Sequence, residues 1–173
     1  MVSFDVEQAT RELIVWKTKV MKGEAPLFLH DQVEPRKERK TQILVTKADM
    51  IFGVDHLRTA LYHAKKAIAE GRNASDSLAL ETLLYASGER QLSSALKKMT
   101  VDDDTEEVVI AKLSDGAFKP KETWMPFSEK MENASRDRLL KFGLTEKELA
   151  TLGDKQPTEL VMEKVAAVDV LKK

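Results

Sequence analysis

Residues 54–88 read VDHLRTALYHAKKAIAEGRNASDSLALETLLYASG, and this stretch decides the fold. In its first half Val54, Leu57, Leu61, Ala64 and Ile68 recur at spacings of three, four, three and four. That rhythm puts them on one stripe of a helix over 54–70. Gly71 stands where a left-handed residue ends such a helix. Asn73 or Ser75 is then placed to cap a second helix, with Asp76 near its positive end. The second helix, over 75–86, carries Leu78, Leu80, Leu83, Leu84 and Tyr85 and is apolar on nearly every side. A helix with so narrow a polar face belongs at the centre of a core. Gly88 breaks it, and 89–99 reads as a third helix with Leu92, Ala95, Leu96 and Met99 inward.

The last third of the sequence is helical as well. Phe127, Met131, Ala134, Leu139 and Leu140 predict a helix near 127–142, stopped by Gly143. Thr145 and Glu148 form a capping box for a short helix that ends at Gly153. Pro157 opens a last helix whose stripe holds Leu160, Val161, Val165, Val168 and Leu171. Strand signals lie elsewhere. Residues 3–8 alternate Phe4 and Val6 with polar neighbours, and 42–46 and 107–113 are short β-branched runs. Residues 12–20 would place Ile14, Trp16, Thr18 and Val20 on one face of a strand, with a helix as the competing reading. Residues 33–41 form a positively charged loop, and 101–107 an acidic one.

The sequence has 173 residues, 28 Lys and Arg against 29 Asp and Glu, and no Cys. That length suits one domain with a real core. The balance of charge does not suggest a general polyanion binder, so any nucleic-acid contact must come from a local patch. Without Cys there is no thiol catalysis, zinc–cysteine site or disulfide framework. Seven Gly and five Pro favour helices over a turn-rich barrel. No apolar run is long enough to span a membrane, and the first residues lack the basic start of a signal peptide. A cytoplasmic protein is expected.

Most catalytic templates are missing. His56 and His63 are seven apart on one helix, about two turns, where a helical metal pair needs three or four. Asp102, Asp103 and Asp104 lack the alternation and central Gly of a calcium loop. There is no Gly-rich phosphate loop, and Tyr85 occupies the first Gly position of a nucleophile elbow around Ser87. No metal or cofactor is expected. Basic residues offer one further site. If the turns at 71–75 and 88–91 face each other, Arg72, Asn73, Arg90 and Gln91 would line one groove suited to phosphate or a base edge, with Lys65 close by. Capping and surface solvation are the competing roles for these residues.

The ordered set Phe52-Gly53-Val54-Asp55-His56-Leu57, His63-Ala64, Gly71-Arg72-Asn73, Leu80-Glu81 and Leu83-Leu84-Tyr85-Ala86-Ser87-Gly88-Glu89-Arg90-Gln91 resembles the kinase-binding subunit of the KEOPS complex, the PRPK-binding protein family. The tail EKVAAVDVLKK is similar too, whereas 12–41 departs from the family's shorter passage. The resemblance implies a helix-rich α/β (α+β) fold: a single domain with a small mixed sheet packed by about six to eight helices. It implies a non-enzymatic regulatory subunit of a complex that places threonylcarbamoyl on tRNA adenosine. The partners implied are the complex's small atypical kinase/ATPase, the single-stranded 3′ CCA end of tRNA, and, indirectly, other KEOPS subunits. Our own expectation places tRNA on Lys65, Arg72, Asn73, Arg90 and Gln91. It places the kinase on Leu140, Leu160, Val161, Val165 and Val168, and gives His63 and Glu81 structural roles. The rival readings are a kinase regulator with no RNA role and an enzyme with an unrecognised site.

Overall fold

The computed structural model describes residues 5–33, 41–127 and 134–172. The basic cluster at 36–40, the start of the expected 3–8 strand and Met131 lie outside them. The first described element is one helical turn, α1 (Val6–Ala9), where the Asp5 carboxylate accepts the Glu7 N–H at 3.0 Å. This corrects the expected strand: two alternating apolar residues are too few to outweigh an N-cap. Residues 14–19 settle the open choice as a strand, β1 (Ile14–Lys19). After it comes α2 (Ala25–Val33), for which the sequence reading had no element.

Next are β2 (Ile43–Lys47), β3 (Glu107–Lys112) and the two-residue β4 (Met125–Pro126). The sheet order is β2-β3-β1-β4, and every ladder is antiparallel. A mixed sheet was expected. β1 and β2 do run the same way, but β3 lies between them, so no parallel ladder forms among the described residues. Successive strand residues feed opposite faces. Val15, Leu44, Val109 and Ala111 join the main core, while Trp16, Ile43, Val45, Val108 and Ile110 join a smaller one with Ala25 and Trp124. Ile14, expected to share a face with Trp16, is exposed at the strand's start.

The main core is made by helices α3 (Val54–Ala69), α4 (Leu78–Ser87) and α8 (Pro157–Leu171). α4 is buried without a break from Glu81 to Ser87 and packs on α3, α8, β2 and α5 (Leu92–Met99). Its cap is Ser77, whose hydroxyl accepts the Leu80 N–H, rather than Asn73 or Ser75. Those two are spent inside the turn: Asn73 donates to the Ser75 carbonyl and to Asp76, and Ser75 Oγ accepts the Ser77 N–H. Gly88 ends α4 at φ 69°, where a Cβ would meet Lys164 at 3.1 Å. In α5, Ala95 and Met99 are buried, but Leu96, expected inward, is exposed.

The expected helix near 127–142 is shorter than read. α6 (Arg136–Phe142) starts at the Ser135 cap, and Phe127 lies just after β4, its N–H donating to the Val15 carbonyl. α7 (Glu146–Ala150) carries the anticipated capping box.

Candidate functional site

The polar residues of the central motifs converge where α3, α4 and the last turn of α8 meet. Asp169 of α8 is the hub. His63 Nδ1 of α3 donates to its Oδ2 at 2.8 Å, Arg72 Nη1 donates to its Oδ1 at 3.2 Å, and the Tyr85 hydroxyl of α4 donates to Oδ1. The His63 and Tyr85 rings stack with centroids 5.5 Å apart. Burial alone would raise the Asp169 pKa. The hydrogen bonds from Tyr85, His63 and Arg72 outweigh it and hold the carboxyl below its ordinary range. Burial and the same carboxylate push the Tyr85 hydroxyl up. Arg72 also donates to Glu70 from Nε at 2.7 Å and Nη2 at 2.5 Å, which raises its pKa further.

One turn on, Lys172 forms an ion pair with Glu81, and its ammonium lies 4.6 Å from the centre of the Tyr85 ring. The other Glu81 oxygen accepts the N–H groups of Ala74 and Ser75 at 3.0 Å each. The end of α8 therefore fixes the 71–77 turn as well as the helices. Asp169 and Lys172 escaped the sequence reading. The available signal was one acid in an otherwise apolar helix stripe.

A second cluster closes the opposite end of α4. His56 Nδ1 accepts the Phe52 N–H at 3.1 Å, so Nε2 carries the proton and donates to the Ala86 carbonyl at 2.8 Å. Complete burial, with smaller contributions from the Lys98 and Arg138 charges, pushes its pKa down to about 4. Lys98 donates to the Ser87 carbonyl at 2.6 Å and sits over the Phe142 ring. Arg138 donates to the carbonyls of Ala48, Asp49 and Ile51 and covers Phe52.

The expected groove of four residues is not built. Arg72 and Asn73 lie before α4, and Arg90 and Gln91 after it. Ten helical residues at 1.5 Å each separate the two turns by about 15 Å. Lys65 is half-buried and already engaged, donating to the Ala9 carbonyl at 2.6 Å and to Glu12 at 3.1 Å. Arg90 and Gln91 are exposed, and Gln91 begins α5 with no cap bond from its side group.

The expected kinase-facing stripe needs the same correction. Val161, Val165 and Val168 are 0% exposed, because they are the side of α8 that packs on α3 and α4. Leu140 and Leu160 are half-buried. The outward side of α8 presents Glu159, Glu163, Ala166 and Val170, with Leu171 exposed beside them.

Among the described residues no cluster of three or more His, Asp or Glu is placed to hold a metal. One cleft of about 650 Å³ is lined mainly by aliphatic residues, with His30 the one ionisable group among its described lining residues. No helix of the described residues is long and apolar enough to cross a membrane.

These contacts define a class of molecule: a helix-rich α/β domain whose motif residues lock helices together instead of converging on an open polar cavity. The family model of the kinase binding protein CGI-121 matches residues 6–159, and the protein belongs to that family. No curated protein matches the sequence.

Proposed function

We propose that this protein is a non-catalytic adaptor of the KEOPS tRNA threonylcarbamoylation complex, working in the cytoplasm. Membership in a family of kinase binding proteins carries the reading. The partner is the complex's small atypical kinase/ATPase, and other subunits are engaged through it. The surface proposed for the kinase is the outward side of α8, where Ala166, Val170 and Leu171 form an apolar end with Glu159 and Glu163 as a charged rim. Leu140 and Leu160 belong to its margin. A small aliphatic centre inside a polar edge is how stable interfaces are built. The buried valines support this surface from behind.

The second ligand is the 3′ CCA end of tRNA. The exposed cation at the α4–α5 turn, Arg90, together with Gln91, supports contact there. A single-stranded end needs few charges when its bases are held unstacked. One observation favours a rival, a kinase regulator with no RNA role: Lys65, Arg72 and Asn73 all spend their side chains on internal bonds. A fluorescence binding assay separates the two. It compares intact tRNA with tRNA trimmed of CCA, with and without the kinase. Salt-dependent binding that needs the CCA end supports the adaptor. Equal binding of both RNAs, or none, leaves the regulator.

A further inference from the structure

We propose, resting on the kinase reading of α8, that the end of this helix is a clasp on the 71–77 turn, and that kinase binding closes it. Apolar burial along α8 stops at Val168. Beyond it Val170 and Leu171 are 69% and 47% exposed, and the inner side is held by the polar groups of Asp169 and the C-cap Lys172. A helix end with no buried apolar side chain opens at lower cost than the core behind it.

The clasp and the turn open as one unit. Lys172 cannot leave alone, because Glu81 is 0% exposed and its carboxylate would stay buried without a counter-charge. Glu81 reaches water only when the turn bonded to it, through the Ala74 and Ser75 N–H groups, moves as well. Asp169 adds a second tie to the same turn through Arg72, and releases His63 and Tyr85 when it goes. Two states result: closed, with the end of α8 helical and the turn fixed, and open, with both loosened.

The kinase surface lies on the other side of the same few residues. Contact with Val170 and Leu171 buries their apolar surface against a helix end that exists only in the closed state. A ligand that favours one of two states shifts the population toward it by its difference in affinity. Bound kinase therefore steadies the 71–77 turn without touching it. By linkage, a ligand that binds only the ordered turn tightens the kinase by the same factor.

Amide-resolved hydrogen exchange on the full chain tests this, with Ala74 and Ser75 reporting the turn. Without kinase, Val170→Pro should accelerate their exchange at least tenfold. It removes a helix bond and disfavours a helical Asp169, yet leaves both side chains of the clasp in place. Leu139→Ala, in the core beneath α6, should accelerate the β3 amides and leave Ala74 and Ser75 within about twofold, because their opening is local. Saturating kinase should then slow both turn amides about fivefold or more in the wild type. In Lys172→Met the kinase still binds at saturation, and the slowing is lost. The clasp is overturned if Val170→Pro leaves these amides unchanged, or if Leu139→Ala accelerates them equally. Its control by the kinase is overturned if bound kinase leaves them unchanged or accelerates them. It is equally overturned if Lys172→Met is slowed as much as the wild type, which would mean direct contact with the turn. A kinase whose affinity ignores Val170→Glu contradicts the α8 reading and its regulation together, and Val170→Pro still decides the clasp.

Discussion

Lys172, the C-cap of α8, is ion-paired with Glu81 at the centre of the sequence, 91 residues earlier, and the two side chains are 6% and 0% exposed. Glu81 in turn holds the backbone of Ala74 and Ser75. Such a pair is not by itself evidence of stability, because desolvation offsets the Coulomb gain. Removing one partner is another matter. Lys172→Met leaves a buried carboxylate uncompensated and should cost about 3 kcal/mol. The double variant with Glu81→Gln should recover part of the loss. Urea denaturation of the three proteins checks this, and a double variant no better than Lys172→Met alone would refute it.

The Tyr85–Asp169 contact gives a milder prediction. Tyr85→Phe keeps the ring stacked on His63 and removes one hydrogen bond to a charged acceptor. The expected cost is about 1.5–3 kcal/mol. Asp169→Ala should cost more, since His63, Arg72 and Tyr85 lose their shared partner together. Thermal unfolding of both variants ranks them, and the reverse order would remove Asp169 as the hub.

His56 sets a pH dependence. Its pKa is about 4 in the folded protein and about 6.5 when unfolded. Between those values the unfolded state takes up a proton that the native state refuses, so stability falls as pH drops from about 6.5 to about 4. The shift corresponds to a loss of the order of 3 kcal/mol. Denaturation curves across that range should slope downward toward acid in the wild type and flatten in His56→Gln. Equal slopes would show that the imidazole titrates freely.

Arg90 and Arg72 separate RNA contact from architecture. Arg90→Glu should weaken binding of intact tRNA and lower its salt dependence, with little change in unfolding temperature. Arg72→Glu instead sets a third carboxylate beside Glu70 and Asp169, and should lower stability first. Tenfold weaker tRNA binding by Arg90→Glu at unchanged stability is the expected result. An unchanged affinity would remove the α4–α5 turn from the RNA surface.

The helical half of the fold was legible because its signals are local. The stripe from Val54 to Ile68, the Thr145 capping box and Pro157 each specify an element within a few residues. The sheet's direction was not legible, since it depends on β3 entering between β1 and β2 from more than sixty residues away. The expected grouping of Arg72 with Arg90 fell for a related reason. Arg72 and Arg90 look close in sequence, but α4 stands between them as a rigid spacer. Val161, Val165 and Val168 were correctly placed on one stripe, yet a stripe does not say whether it meets the protein's own core or a partner. Asp169 stayed hidden because its partners, at 63, 72 and 85, meet only after three helices have packed.

Binding of the kinase to the outward side of α8 is tested most directly by calorimetry. The purified small kinase is titrated with wild type, Val170→Glu, Ala166→Arg and, at an exposed position of α2, Leu27→Glu. We predict a one-to-one complex that weakens at least tenfold with Val170→Glu and Ala166→Arg, remains unchanged with Leu27→Glu, and shows the same unfolding temperature in every variant. Unaltered affinity in both α8 variants, or no complex with the wild-type protein, would contradict it.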